Sequence, residues 1–118
     1  MDLTKQVNES YQRLYDALKE KDKDTANGER LLIFKEISTH YNSLMKGVDE
    51  KIHNCEYQGA LDINDQMYNL FWVEYQGELK IHELHSSNNS KKRITSVTER
   101  MEKSVELSLE LTKRLNTL

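Results

Sequence analysis

The segment His82-Glu83-Leu84-His85 holds the residue types that most often bind metal ions. Residues three or four apart share one face of a helix, so His82, His85 and Glu78 are predicted to lie side by side. Two imidazoles and a carboxylate could hold zinc or a similar ion. A polar helix end with two solvated histidines is the simpler interpretation, because the sequence offers no further ligand. A metal-binding bundle is therefore kept only as the alternative function.

Three further residues have the chemistry of a catalytic site but not its partners. Glu50 and His53 match one Glu-x-x-His pair of the di-iron bundles, which need two such pairs and two more carboxylates. Cys55 lies two residues from His53, and side chains two apart on a helix point in different directions. The sequence has no GxSxG motif, and its four scattered glycines cannot build a phosphate-binding loop. We expect no catalytic activity, no cofactor and no small-molecule substrate.

A short basic cluster, Lys91-Lys92-Arg93 with Lys80 upstream, could contact a phosphate or an acidic partner. The chain as a whole has 17 basic and 20 acidic residues, a net charge of -3. That balance gives no electrostatic footprint for nucleic acid or for an anionic membrane. The apolar runs are only a few residues long, far shorter than a bilayer span requires. Neither nucleic-acid binding nor membrane insertion is expected.

An aromatic group in the segment 60–85 is the strongest candidate for a binding surface. It consists of Tyr68, Phe71, Trp72 and Tyr75, and Trp and Tyr are common anchors of protein interfaces. The same residue types are also ordinary core components. Because the apolar stripe of this segment is wide, we expect part of the group to extend beyond what one bundle covers. A possible second surface near the carboxyl end consists of Leu109, Leu111, Leu115 and Leu118.

Apolar residues recur every three or four positions in four blocks, which is the spacing of amphipathic helices. We predict helices over about residues 3–20, 29–55, 60–85 and 92–116. The seam of the second block consists of Phe34, Ile37, Tyr41, Leu44, Val48, Ile52 and Cys55. Four stripes facing one axis predict an all-α, antiparallel four-helix bundle with up-down-up-down topology. The block that holds Trp72 is expected to be the central helix, because it is apolar on most of its circumference.

Runs without large apolar side chains predict the connections. Residues 21–28 are expected to form a solvated loop that ends in the Asn27-Gly28 turn signal. Residues 54–59 form either a tight turn or part of one continuous helix, and the turn is preferred because a helix over 29–85 would exceed ordinary globular lengths. Residues 86–90, SSNNS, are expected to be a polar linker, so the last helix is the one most able to swap between chains.

Length and cysteine content bound the class of protein. A chain of 118 residues suits one domain, taken as residues 1–118, and 31 % charged residues without proline fit long amphipathic helices. Cys55 has no second cysteine to pair with, which favours a reducing, intracellular and most simply cytoplasmic location. The amino-terminal MDLTKQVNES lacks the basic and apolar layout of a secretory signal.

The segment 55–63, CEYQGALDI, resembles the turn in the helical C-terminal domain shared by an outer-coat protein of COPII vesicles and the steroid receptor RNA activator protein. In that domain a tyrosine, followed by a small residue and a leucine, opens a helix that leads to a tryptophan-containing segment. The resemblance covers about half of the chain. It implies a helical protein-interaction domain without catalysis.

The four stripes, the aromatic helix and the lack of a catalytic constellation predict a non-catalytic helical protein–protein interaction module. Such a protein would be a small scaffold, adaptor or regulatory subunit that docks helices against a partner protein or against itself. The last helix alternates Glu with Lys in the manner of a coiled coil. Monomer and homodimer both remain open. The alternative architecture is a hairpin or three-helix core whose last helix completes a partner's bundle.

Overall fold

The computed structural model describes residues 3–117, and these form four helices joined by short turns. They are α1 (Leu3–Lys19), α2 (Lys23–His53), α3 (Tyr57–Leu84) and α4 (Asn88–Asn116). The predicted all-α four-helix fold is thereby confirmed. Successive helices run antiparallel, so α2 and α4 run in the same direction on either side of α3.

Helix α3 is the central element, as its wide apolar stripe predicts. It packs against each of the other three helices, and α1 packs against α2 as well. Within the described chain, no Cα atom of α4 lies within 8 Å of one in α1 or α2. The bundle is accordingly flat and long, with extents of 55 × 26 × 16 Å. The side of α3 between α2 and α4 is therefore not covered by a helix.

The core divides into two clusters along the long axis. The first joins α1 to the amino-terminal half of α2 and to α3, and it includes Val7, Leu14, Ile33 and Leu70. The second joins the carboxyl-terminal half of α2 to α3 and α4 and includes Val48, Met67, Phe71, Val97 and Leu111. The division arises because α1, with 17 residues, is too short to follow the whole of α2, which has 31.

The predicted loop over residues 21–28 is wrong for most of its length, because α2 begins at Lys23. Asp22 caps the helix by accepting hydrogen bonds from the Thr25 backbone amide at 3.2 Å and from the Thr25 hydroxyl at 2.6 Å. Ala26 is buried in the first core cluster. The cap and this one small apolar contact extend the helix through Gly28, where we had expected a turn.

The predicted linker over residues 86–90 is also wrong, because α4 begins at Asn88. Ser87 and Ser90 form a reciprocal capping box, in which each side-chain oxygen accepts a backbone N–H of the other residue at 3.0 Å. Ser90 is fully buried. Small polar residues serve here as a helix start, since their oxygens satisfy amides that the helix leaves unpaired.

The preferred turn between α2 and α3 is confirmed. Helix α2 ends at His53, and Cys55 adopts a positive φ of 58° that reverses the chain. Tyr57 is the first residue of α3.

Candidate functional site

The four aromatic residues proposed as anchors occupy different environments on α3. Phe71 is buried in the second core cluster, with its ring 5.6 Å from that of Tyr41. Trp72 is 47 % exposed, and its ring centroid lies 5.9 Å from that of Tyr75. Tyr68 and Tyr75 are half-buried. Trp72 is thus the member of the group that offers the most surface to a partner.

The leucines near the carboxyl end separate in the same way. Leu111 is buried in the core, Leu115 is half-buried and Leu109 is 61 % exposed. Val105, one helical turn before Leu109, is exposed as well. Leu118 lies outside the described residues. The outer face of α4 therefore carries a short apolar strip rather than a continuous four-leucine surface.

The structure does not bring the three metal-ligand candidates together. Glu78 points into the bundle, where both of its carboxylate oxygens accept hydrogen bonds from protein groups. The Nδ1 atom of His82 lies 2.6 Å from the hydroxyl of Ser90, and His85 lies beyond the last residue of α3. Over residues 3–117, no three His, Cys, Asp or Glu side chains are grouped so that they could hold a metal ion.

An open groove runs between α2 and α4, and the sequence did not predict it. Its floor is α3 with one residue of α1. Its walls are α2 and α4. Its upper part, near the amino-terminal halves of these two helices, has a volume of about 360 Å³. A further hollow of about 160 Å³ follows toward their carboxyl ends. We call this feature the α2–α4 groove. The upper part is lined by Tyr11, Arg30, Ile33, Phe34, Ile37, Ser38, Tyr41, Glu74, Glu78, Arg93, Ser96 and Arg100.

A layer of ion pairs lies at the floor of this groove, centred on Glu78. Its carboxylate accepts hydrogen bonds from the Tyr11 hydroxyl at 2.8 Å, from Arg30 at 2.7 Å and from Nε of Arg93 at 3.0 Å. These donors come from α1, α2 and α4, so one carboxylate joins all four helices. A buried carboxylate requires such partners, because the interior solvates charge poorly.

A second ion pair lies one helical turn before the first. Arg100 donates two parallel hydrogen bonds to Glu74, at 2.8 and 2.6 Å, and its Nε donates to the Ser96 carbonyl. Burial raises the pKa of the Glu74 carboxyl, and the hydrogen bonds and charge of Arg100 oppose that effect. Arg100 also lies over the ring of Phe71, 5.2 Å from its centroid. Arg100 thereby joins the polar layer to the apolar core.

The amino-terminal rim of the groove is apolar and exposed. Phe34 is 69 % exposed and lines the opening, while Leu31, one turn earlier on α2, is 67 % exposed. The sequence placed Phe34 in the buried seam, because it repeats at helical spacing with Ile37 and Tyr41. That placement is wrong for Phe34, since no helix covers this side of α2. Large exposed apolar side chains in close succession are characteristic of interaction sites.

The sequence did contain a signal for the ion-pair layer. Glu74 and Glu78 are four residues apart in the middle of the apolar stripe of α3, where a carboxylate must have a buried partner. Arg93 and Arg100 are seven residues apart and share one face of α4. The basic cluster around Lys91 drew attention to Arg93 as a surface charge, whereas the structure pairs it with Glu78.

A buried polar layer on α3 and α4 marks the other end of the bundle. The Asn64 amide donates to the Ser104 carbonyl at 2.9 Å and to the Ser108 hydroxyl at 2.7 Å, and the Ser104 hydroxyl donates back to Asn64. Asn64 is fully buried. A paired amide of this kind disfavours any other register of the two helices, because a shift would leave it unsatisfied.

Comparison with protein families, with curated proteins and with solved structures finds no match to this chain. None of the helices within residues 3–117 combines the length and apolar character needed to cross a bilayer. The geometry of the α2–α4 groove is thus the main guide to function.

Proposed function

We propose that this protein is a non-catalytic helical interaction module, and that its docking site is the α2–α4 groove. The observation that carries the proposal is the hollow between α2 and α4, two helices that have no close backbone contact with each other and whose rim carries the exposed Phe34. In a four-helix bundle of up-down-up-down topology, that place would belong to the remaining helix. Here α1 packs on the other side, against α2 and α3. A helix from a partner would complete the arrangement.

The dimensions of the groove support a helical occupant. Its lining extends on α2 from Arg30 to Met45, which corresponds to about 22 Å at the rise of an α-helix. That length accommodates about four helical turns. Helix-in-groove recognition depends on apolar side chains spaced three or four apart, and the exposed Leu31 and Phe34, three residues apart on α2, offer such a surface at the rim.

The state of the carboxylates favours binding over catalysis. A general acid or base needs a titratable group that is free to exchange its proton with a substrate. Glu74 and Glu78 are instead engaged by guanidinium groups at 2.6 to 3.0 Å. The exposed Trp72 and the strip of Val105 and Leu109 remain candidates for a second surface. No observation favours the metal-binding alternative.

Site-specific photocrosslinking in the native source tests the proposal. A crosslinking side chain is placed at position 34, on the rim of the groove, and in a matched variant at position 109, on the outer face of α4. Both native residues are more than half exposed, so neither change should affect folding. We expect one discrete protein adduct through position 34, with the crosslink in an amphipathic helical segment, and no adduct with that partner through position 109.

The opposite pattern would overturn the proposal. An adduct through position 109 alone would move the docking site to the outer face of α4. Adducts at neither position would overturn the α2–α4 groove as the docking site. An adduct with twice the mass of the chain would identify a second copy as the partner.

A further inference from the structure

The lining of the upper part of the α2–α4 groove holds more positive than negative charge. Three arginines, Arg30, Arg93 and Arg100, face two glutamates, Glu74 and Glu78. Three positive and two negative charges leave a surplus of one positive charge. Because this layer is shielded from water on the α3 side, the surplus is screened less than a charge on an open surface would be.

The surplus is associated with hydrogen-bond donors that the protein does not use. A guanidinium carries five N–H donors. Within the described residues, Arg30 donates only through one terminal nitrogen and Arg93 only through Nε, each to Glu78. Arg30 and Arg93 retain 28 % and 35 % exposure of their side chains, so their remaining donors are accessible. Arg100, by contrast, uses all three of its nitrogens.

We infer that the α2–α4 groove selects an amphipathic helix that carries a carboxylate, which binds between Arg30 and Arg93. This inference rests on the proposed function and adds the chemistry of the partner to it. Planar guanidinium groups bind carboxylates through paired, charge-assisted hydrogen bonds, which are stronger than neutral ones. The apolar positions of the same helix would cover Phe34, which otherwise faces solvent at the rim of the α2 wall.

Charge complementarity also favours this partner over a second copy of the chain docked through the same face. Two copies facing each other in that way would oppose two surplus positive charges across a partly dehydrated contact. Like charges placed opposite each other disfavour an interface strongly. A partner that brings the negative charge meets no such cost.

A pair of synthetic peptides tests the inference on the intact protein. Each peptide is about 16 residues long, the length of about four helical turns, and is constrained to be helical. Leucines at helical spacing form one face, with a glutamate beside that face in the first and the last turn. In the second peptide both glutamates are glutamines. We expect the glutamate peptide to bind about tenfold more tightly or better, as measured by fluorescence anisotropy, and the difference to shrink at high salt.

Two neighbouring substitutions locate the effect. Ser96→Glu adds a carboxylate to the lining of the groove without removing any ion pair, because Ser96 is exposed and contributes only its backbone carbonyl. Thr95→Glu makes the same charge change at an exposed residue that is not part of the lining. We expect Ser96→Glu to abolish the preference for the glutamate peptide and Thr95→Glu to preserve it.

The possible failures are distinguishable. If both peptides bind equally, or if Ser96→Glu and Thr95→Glu act alike, the groove takes a helix but does not select a carboxylate, and this inference is overturned alone. If neither peptide binds at a peptide concentration of about 1 mM, which would reveal even a weak affinity, the groove does not accept a helix. The proposed function is then overturned together with this inference.

Discussion

The two sides of the α2–α3 pair show how the same helices can form either a closed interface or an open one. On the side covered by α1, Val7, Leu14 and Leu70 are almost completely buried. On the side that faces α4, the second core cluster packs only part of the length, and around the hollow between α2 and α4 arginines and the exposed Phe34 take its place. The closed side stabilises the fold, and the open side is available to another molecule.

Tyr11 connects the two sides, and its position explains why α1 lies where it does. Its ring lies against Gly77, where any side chain would collide with it. Its hydroxyl reaches past α3 and donates to Glu78 at the floor of the α2–α4 groove. The packing of α1 on the closed side thus helps to hold the carboxylate that organises the open side.

The largest expected difference between the two sides concerns deletion of an apolar side chain. Leu14→Ala, on the closed side, should lower the free energy of unfolding by about 2–5 kcal/mol, because it leaves a cavity in a fully buried cluster. Phe34→Ala, on the open side, should change it by less than about 0.5 kcal/mol. Chemical denaturation of both variants measures this. Similar losses in the two variants would show that the groove is part of the core.

The next largest effect is expected at Glu78, whose carboxylate contacts Tyr11 of α1 and the arginines of the groove. Glu78→Gln keeps the shape of the side chain but removes the charge that Arg30 and Arg93 share. We expect a loss of about 2–3 kcal/mol, less than for a fully buried pair, because both arginines can still reach water. Thermal unfolding of Glu78→Gln measures the loss. An unchanged melting temperature would mean that the ion pairs contribute nothing to the fold.

Alanine substitutions at a packed glycine and at an exposed glycine should have effects of opposite sign. In Gly77→Ala, the new Cβ would lie 2.4 to 2.8 Å from three atoms of the Tyr11 ring, so α1 would have to move, at a cost of about 1–2 kcal/mol. Gly28 has no atom within 4 Å of such a Cβ, so Gly28→Ala should stabilise α2 by up to about 1 kcal/mol. Denaturant midpoints compare the two. Stabilisation by Gly77→Ala would contradict the close packing of α1 on α3.

The smallest expected effect is a loss of folding stability at alkaline pH that depends on Tyr11. Burial, followed by the charges of Glu78 and Glu74, raises the pKa of the Tyr11 hydroxyl well above 10. Because the folded pKa is raised, the stabilisation is fully present below the ordinary tyrosine pKa of about 10 and is lost as the pH rises above it. Tyr11→Phe should be about 1 kcal/mol less stable at neutral pH, having lost one hydrogen bond.

The pH profile of unfolding is the check on this prediction. The loss of stability above pH of about 10 should be shallower in Tyr11→Phe than in the native chain. Parallel profiles would show that the Tyr11 hydroxyl titrates as it does in the unfolded chain, and that its contact with Glu78 has no energetic weight.

Much of the fold followed from helical periodicity, and the exceptions have local causes. The spacing of Val7, Tyr11 and Leu14 predicts the buried face of α1, and the structure buries all three. The starts of α2 and α4 were missed because Asp22 and Ser87 lie in runs that resemble loops. Their capping hydrogen bonds convert those runs into helix starts, and residue composition alone does not distinguish a capped start from a turn.

The candidate site was harder to predict, because it depends on the distance between two helices. Periodicity assigned Phe34 to the seam, since a sequence shows which face of a helix is apolar but not whether a neighbour covers it. Glu74 and Glu78 gave a real signal, two carboxylates inside an apolar stripe. Their partners Arg30, Arg93 and Arg100 come from two other helices, and only the packing identifies them.

Mapping the bound glutamate peptide by amide NMR shifts tests the central claim most directly. If the α2–α4 groove is the docking site, the shifts should cluster in residues 30–45 of α2 and 93–104 of α4. The outer face of α4, with Leu109, should remain unchanged. Shifts centred on Trp72 and Tyr75, or on Val105 and Leu109, would contradict the account and place the binding surface elsewhere.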